Sequence, residues 1–362
     1  MSKKLRAGII GATGYVGQRF ITLLQNHPWF ELTALAASSR SAGKTYTEAL
    51  AGRWRLDVEM PAAVGTMPVY DAADTEAFCR DLDLVFCAVD MEKKALVALE
   101  EQVAKTETPL ISNNSANRNT PDVPMIIPEI NQDHTRLIEA QKRRLGTRHG
   151  FIAAKPNCSI QSYVPALTPL LDFGPEAVFV STYQAISGAG KTFADWPEMD
   201  HNLIPFIGGE EAKSELEPLK IWGTFAGDHI TAAEKPLISA QCYRVAVQEG
   251  HTASVAVRFQ KKPDRDEILS RWASFKGLPQ EAKLPSAPKQ FVSYMNEDNR
   301  PQPRLDALIE GGMGVAVGRL REDPIFDYKF CCLSHNTLRG AAGGAVLMAE
   351  LLVHQGYIKA KE

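Results

Sequence analysis

Apolar residues along this chain fall into two textures. In the first, short apolar runs alternate with segments of helical period. Residues 6–10 (Arg-Ala-Gly-Ile-Ile) read as a buried strand, Gly11-Ala12-Thr13-Gly14-Tyr15-Val16-Gly17 as a turn, and Phe20, Leu23 and Leu24 as the inner face of a helix. Further strands are expected over 32–37, 82–89 and 109–112, with an Ala- and Leu-rich helix around 93–104, then polar Asn113-Asn114-Ser115 and a proline-rich loop over 120–128. Strands alternating with helices predict a parallel sheet with right-handed crossovers.

From about residue 158 the texture changes. Strand-like runs at 177–183, 239–247 and 252–259 are separated by loops with fewer helices, as in an α+β domain with a mixed sheet. The tail returns to helix from Asn336 through Val346 and Leu351 to His354, with small residues over 340–344 that permit close backbone approach. A length of 362 residues exceeds a comfortable single core, so two domains are expected, 1–157 and 158–335, with a cleft between them.

Composition narrows the class. Apolar residues make up 44% and charged residues 23%, as in an ordinary globular protein. The net charge of -3 and scattered basic residues exclude a nucleic-acid stripe; the run Lys142-Arg143-Arg144 reads as a solvated helix end. No run of about 18 apolar residues could span a bilayer, and Lys3, Lys4 and Arg6 lead straight into a strand, so no signal peptide and a cytoplasmic location are expected. The six cysteines form no CxxC pair, five read as buried reduced thiols, and no metal site is expected.

The glycines at 11, 14 and 17 give GxxGxxG rather than the usual GxGxxG, yet they lie between the first strand and the first helix, where a pyrophosphate meets free amides at a positive helix terminus. The second strand ends in Ser38-Ser39-Arg40-Ser41, with Lys44 nearby, where an NAD site would place an acid. Hydroxyls and cations suit a 2'-phosphate, so the expected cofactor is NADP.

Cys158, in Lys155-Pro156-Asn157-Cys158-Ser159, follows a proline turn and precedes the helical run Ile160, Val164, Leu167. A helix N-terminus favours a thiolate and points amides at an oxygen developing on an attacked carbonyl. Of eight histidines, His251 stands out at a strand junction, as a base that could take the thiol proton and return it to an oxygen; His27, His134 and His149 read as surface residues.

Together with Tyr183-Gln184-Ala185-Ile186-Ser187-Gly188-Ala189-Gly190, Arg244 seven residues before His251, Gly208-Gly209-Glu210-Glu211 and His335-Asn336-Thr337-Leu338-Arg339-Gly340, these motifs make the whole chain resemble the aspartate-semialdehyde dehydrogenases, in the branch shared by archaea, fungi and some bacteria. The resemblance implies a Rossmann-type NADP domain, a catalytic domain of the glyceraldehyde-3-phosphate dehydrogenase-like type that also forms the homodimer interface (within a dimer or tetramer), and a C-terminal segment, 336–362, packing back on the first domain. It implies Cys158 as nucleophile and His251 as acid/base, with Asn157, Gln184 and Arg244 around the substrate and Arg244 on its carboxylate. Arg118 matches a phosphate ligand, with Lys213 or Lys220 as second cation. The family's Glu-x-x-Lys pair matches best at Glu217 and Lys220, with Glu210 and Lys213 one face-repeat earlier, although Pro218 would interrupt that helix. Gly11, Thr13, Gly14, Tyr15, Val16 and Gly17 would meet the pyrophosphate, Ser38, Ser39, Arg40 and Lys44 the 2'-phosphate, and Ser187, Gly188 and Asn336 the nicotinamide half.

The implied reaction is the NADPH-dependent reduction of 4-phospho-L-aspartate to L-aspartate 4-semialdehyde through a cysteine thioester, in the biosynthesis of lysine, threonine, methionine and isoleucine. Three rivals are an N-acetyl-gamma-glutamyl-phosphate reductase, whose Pro-Gly-Cys turn is lacking, a malonyl-CoA reductase, against which Arg118 and Pro-Asn-Cys-Ser argue, and a silent NADP-binding regulator, which the intact Cys158, His251 and Arg244 disfavour.

Overall fold

The computed structural model describes residues 3–361. Its first sheet is wholly parallel: β1 (Leu5–Ile10), β2 (Phe30–Ala37), β3 (Val69–Asp71), β4 (Leu84–Cys87), β5 (Leu110–Ser112) and β6 (Ile152–Ala154) lie in the order β3-β2-β1-β4-β5-β6. The order reverses at β1, which pairs with β2 on one side and β4 on the other. That switch point is where a doubly wound sheet opens a crevice at its carboxyl edge. Helices α1 (Tyr15–Leu24), α2 (Lys93–Lys105) and α3 (Leu137–Leu145) flank the sheet. Lys142, Arg143 and Arg144 do end α3, but Arg144 is engaged, reaching Asp122 and Glu101. The three-residue edge strand β3 carries too little pattern to be read from sequence.

The second sheet is mixed. A helix α4 (Ile160–Leu167) leads to β7 (Pro175–Gln184) and β8 (Leu203–Ile204); then come α5 (Glu210–Ile221), a ribbon of β9 (Thr224–Phe225) with β10 (Ile230–Thr231), β11 (Leu237–Val245), β12 (His251–Phe259), α6 (Arg265–Ser274), β13 (Val292–Met295), β14 (Val315–Glu322) and β15 (Tyr328–Ser334). The seven strands run β13-β14-β15-β12-β7-β11-β8. One face alternates into a core of Tyr163, Val180, Val255, Trp272, Phe291 and Phe330 beneath α4 and α6. The other face carries Phe179, Tyr183, Tyr243 and Leu237; Phe179 and Leu237 are 43% and 62% exposed. The last helix, α7 (Gly343–His354), packs Val346, Leu347, Leu351 and Leu352 against Ile9, Phe20 and Phe86 of the first sheet's core.

Four expectations need correction. His27 and His134 are buried rather than on the surface: His27 bonds Glu350 at 2.9 Å and stacks on Phe30, and His134 bridges Asn131 and the Gly223 carbonyl. Four of the six cysteines are buried rather than five: Cys331, read as buried, is partly exposed on the outer sheet face, as is Cys158 toward a pocket. Pro218 does not break α5, because the carbonyl of Ser214, which a proline cannot serve, accepts instead from the hydroxyl of Tyr163 at 2.8 Å. Finally, the tail does not enter its helix directly: residues Leu338–Ala342 form a π turn first, with Ala341 off helical geometry at φ -141°, the kind of local widening often found at functional sites.

Candidate active site

Three strand ends meet behind one pocket, where Gly188 of its lining lies against Arg244 and His251. In the β11–β7 pairing Arg244 lies beside Gln184, and in the β12–β15 pairing His251 lies beside Ser334. Cys158 approaches from β6 through the turn 155–157. A cavity of about 240 Å³ is lined at one end by Val16, Ser187, Gly188, Asn336 and Thr337 and at the other by Arg118, Asn157, Glu210 and Lys213, with Cys158 between them.

The turn that carries Cys158 is held by carboxylates. Asn157 donates its amide N–H to Glu217 at 2.6 Å and its side-chain nitrogen to Glu210 at 3.0 Å, while its oxygen accepts from Ser159 N–H at 2.8 Å. Ser159 in turn begins α4. Cys158 Sγ stands 3.4 Å from His251 Nε2. A Cβ at Gly188 would come 3.0 Å from both His251 Nε2 and Arg244 Nη1, so any larger residue there would press on both side chains.

Two expectations about this pair are corrected by the surroundings. The helix start was expected to lower the thiol's pKa; burial instead pushes Cys158 up to about 11, reinforced by Glu210, while Lys155, Arg118 and Arg244 oppose the rise. His251 was expected to take the thiol proton, yet the backbone N–H of Ala185 donates to its Nδ1 at 3.0 Å. Nδ1 is therefore an acceptor, and the proton of the neutral ring sits on Nε2, facing the sulfur as a donor. Burial, then Arg244 and His335, disfavour a second proton on that ring.

Charged groups surround the sulfur in a definite order. Arg118 donates to Glu217 at 2.9 Å and to the Lys155 carbonyl at 2.8 Å. Lys213 pairs with Glu210 at 2.7 Å, and Gln184 donates to the same carboxylate at 3.2 Å. Arg244 is 6% exposed and anchored on the Ala185 carbonyl at 2.6 Å. Lys220 does not join them: its Nζ turns to the carbonyls of Arg118 and Val123. Ten residues along α5 from Glu210 is roughly 15 Å of rise, so Glu210 and Lys213, not Glu217 and Lys220, form the Glu-x-x-Lys pair that lines the pocket. Glu217 instead holds Arg118 and Asn157 in place.

The glycine turn suits a dinucleotide. Helix α1 has no side-chain cap and no acid in its first turn, leaving its amides free for an anion. A Cβ at Gly17 would meet the Gly11 carbonyl at 2.2 Å, so the turn can close only with glycine. The Tyr15 side chain points away, to Glu249, so its part at the turn is its backbone amide. Ser38, Ser39, Arg40 and Lys44 are exposed at the end of β2. Asn336 donates to Ser187 Oγ at 2.8 Å and accepts from Gly250 N–H at 2.8 Å, joining the cofactor end of the pocket to the strand of His251.

Residues 6–138 match the family model described as "Semialdehyde dehydrogenase, NAD binding domain", and residues 167–339 that described as "Semialdehyde dehydrogenase, dimerisation domain". The aspartate-semialdehyde dehydrogenase of Methanothermobacter thermautotrophicus is 44% identical, across 96% of this chain and 99% of the relative. That of Saccharomyces cerevisiae is 40% identical, across 99% of this chain and all of the relative. The crystal structure of the Candida albicans aspartate-semialdehyde dehydrogenase with NADP superimposes with a TM-score of 0.88 at 35% identity, covering 98% of this chain and 100% of that one.

Proposed function

The chain belongs to the aspartate-semialdehyde dehydrogenase family, and we propose that Cys158 is the nucleophile with which it carries out that family's NADP-dependent reaction. The observation that carries this reading is the Cys158–His251 contact of 3.4 Å inside a pocket whose other charges are Arg118, Lys213 and Glu210.

The thiolate of Cys158 attacks the acyl carbon of 4-phospho-L-aspartate, the bond from carbon to the phosphate oxygen breaks, and phosphate leaves with the electron pair, giving a thioester. Arg118 and Lys213 neutralise the departing phosphate. Arg244 binds the α-carboxylate and Glu210 the α-ammonium, with Gln184 and Asn157 fixing that carboxylate. NADPH, when bound, supplies the hydride that reduces the thioester carbonyl. Gly11, Thr13, Gly14, Tyr15, Val16 and Gly17 hold its pyrophosphate by their amides, Ser38, Ser39, Arg40 and Lys44 its 2'-phosphate, and Ser187, Gly188 and Asn336 border the nicotinamide. His251 Nε2–H supports the oxygen that becomes negative, and cleavage of the C–S bond releases the semialdehyde and restores the thiolate.

We assign residues 1–157 and 336–362 to cofactor binding and 158–335 to catalysis and assembly, and propose that the outer face of the second sheet, around Phe179, Tyr183 and Tyr243, is the subunit interface of a homodimer. No helix among the described residues is long and apolar enough to cross a membrane; a cytoplasmic location is part of the proposal. The test is phosphate-dependent NADP reduction with aspartate semialdehyde beside N-acetylglutamate semialdehyde and, with coenzyme A, malonate semialdehyde. The expected result is preference for the first and a loss on the order of 10³ or more in Cys158→Ser. Preference for either competitor overturns the substrate, normal turnover in Cys158→Ser overturns the covalent route, and no turnover of any substrate leaves the regulator.

A further inference from the structure

The loop 112–118 leads from the end of β5 into the pocket, and its side chains divide between two directions. Asn113, Ser115 and Arg118 line the cavity beside Cys158. Ser112, Asn114 and Asn117 turn the other way, onto Glu100 of α2, which is fully buried. Ser112 Oγ donates to Glu100 Oε1 at 2.5 Å and Asn114 Nδ2 to the same oxygen at 2.9 Å, while Asn117 Nδ2 donates to Oε2 at 2.7 Å. The hydroxyl of Thr120 donates to Asn117 Oδ1 at 2.9 Å, which turns the nitrogen of that amide toward Glu100. All three bonds run into the carboxyl, the pattern that suits an ionised acceptor with no proton of its own. Burial pushes Glu100 up, and Asn114, Ser112, Asn117 and the charge of Arg118 oppose the rise.

Resting on the reading of Arg118 as the phosphate ligand, we infer that Glu100 is a positioning residue for the phosphate subsite: by holding Ser112, Asn114 and Asn117 it aims Arg118 and its neighbours into the pocket. Moving any one of the three donors would leave a buried charge short of a bond, so the carboxylate fixes the path of the backbone. Arg118 depends on that path. Its own N–H donates to the Ser115 carbonyl and its Nη2 to the Asn113 carbonyl, each at 3.4 Å, while Nε reaches the carbonyl of the buried Lys155 at 2.8 Å. Glu217 and Lys155 fix the guanidinium from the far side; Glu100 fixes the chain it extends from. Arg244, Gln184 and Glu210 stand on β11, β7 and α5, and the glycine turn follows β1, so the effect of Glu100 is confined to phosphate. Glu100 touches no substrate atom.

The measurement is phosphate-dependent NADP reduction with aspartate semialdehyde by the full-length protein, with kcat/KM taken for each of the three reactants. Glu100→Gln keeps the volume but sets an N–H donor against donors already in place. Its kcat/KM for phosphate should fall about tenfold, the equivalent of one lost hydrogen bond to a charged group, while the values for NADP and the semialdehyde stay within about twofold. Asn117→Ala, which removes the donor at Oε2, is expected to act in the same direction and takes its place if the Gln variant fails to fold. Arg118→Lys, measured beside them, should lower the phosphate value as well. A fall in Arg118→Lys without one in the folded Glu100 or Asn117 variant overturns the inference alone, as does an equal loss for all three reactants or failure of both variants to fold. An unaltered phosphate value in Arg118→Lys overturns the reading of Arg118 and the inference with it.

Discussion

Glu249 gathers four side chains from two distant parts of the chain. Tyr15 and Arg19 of α1 donate to it at 3.0 and 2.6 Å, Thr337 donates at 3.1 Å, and His335 Nε2 lies 2.9 Å away. The carboxylate sits two residues before His251 and so ties the glycine turn to the strand of that ring. Burial works against its ionisation, but His335, Arg19 and Tyr15 prevail and lower it from 4.5 to about 2. A depressed carboxylate contributes stability that is present above the unfolded value and lost as pH falls through the folded one. The difference in unfolding free energy between the natural protein and Glu249→Gln should therefore hold from pH 7 to about 4.5 and close toward pH 2. Its ceiling is about 3 kcal/mol; urea midpoints along a pH series measure it, and a gap independent of pH would refute the argument. Nothing in the local sequence singles out Glu249, because it owes its role to partners far away in the chain. The helix start after Cys158 and the strand of Arg244 were readable, since both signals are local.

Elements show the same division. Helix α5 runs through Pro218 because Tyr163 of α4 serves the carbonyl that the proline abandons. Tyr163→Phe should leave that buried oxygen without a donor and cost about 1–3 kcal/mol, read by thermal unfolding. Adding Pro218→Ala to it restores an N–H to the helix and should recover part of the loss; no recovery would mean that the hydroxyl acts elsewhere. The same helix shows how a register slips: Glu210, Lys213, Glu217 and Lys220 share a face by spacing, and only the approach of Arg118 and Asn157 decides which of them border the pocket. The apolar runs of β1 and β4 were legible because these strands are buried on nearly both faces, whereas β3 has three residues and one neighbour.

At the scale of the whole molecule, the second sheet has one face filled by α4 and α6 and one left open. Phe179 and Leu237 stand out of that open face, and Tyr183 stacks on Tyr243 at 5.5 Å. An apolar sheet face of this kind marks an interaction surface. Phe179→Asp should shift the protein from a homodimer toward the 39.8 kDa monomer in analytical ultracentrifugation; a monomer before substitution would end the proposal. The sequence by itself determined the parallel cofactor domain, the glycine turn and the family, because these rest on periodicity and contiguous motifs. Tertiary structure decided which lysine of α5 reaches the pocket, which nitrogen of His251 carries the proton and where Lys155 is buried. The physical reason is that such properties depend on burial and on hydrogen bonds between residues tens to hundreds of positions apart, and no local pattern encodes them.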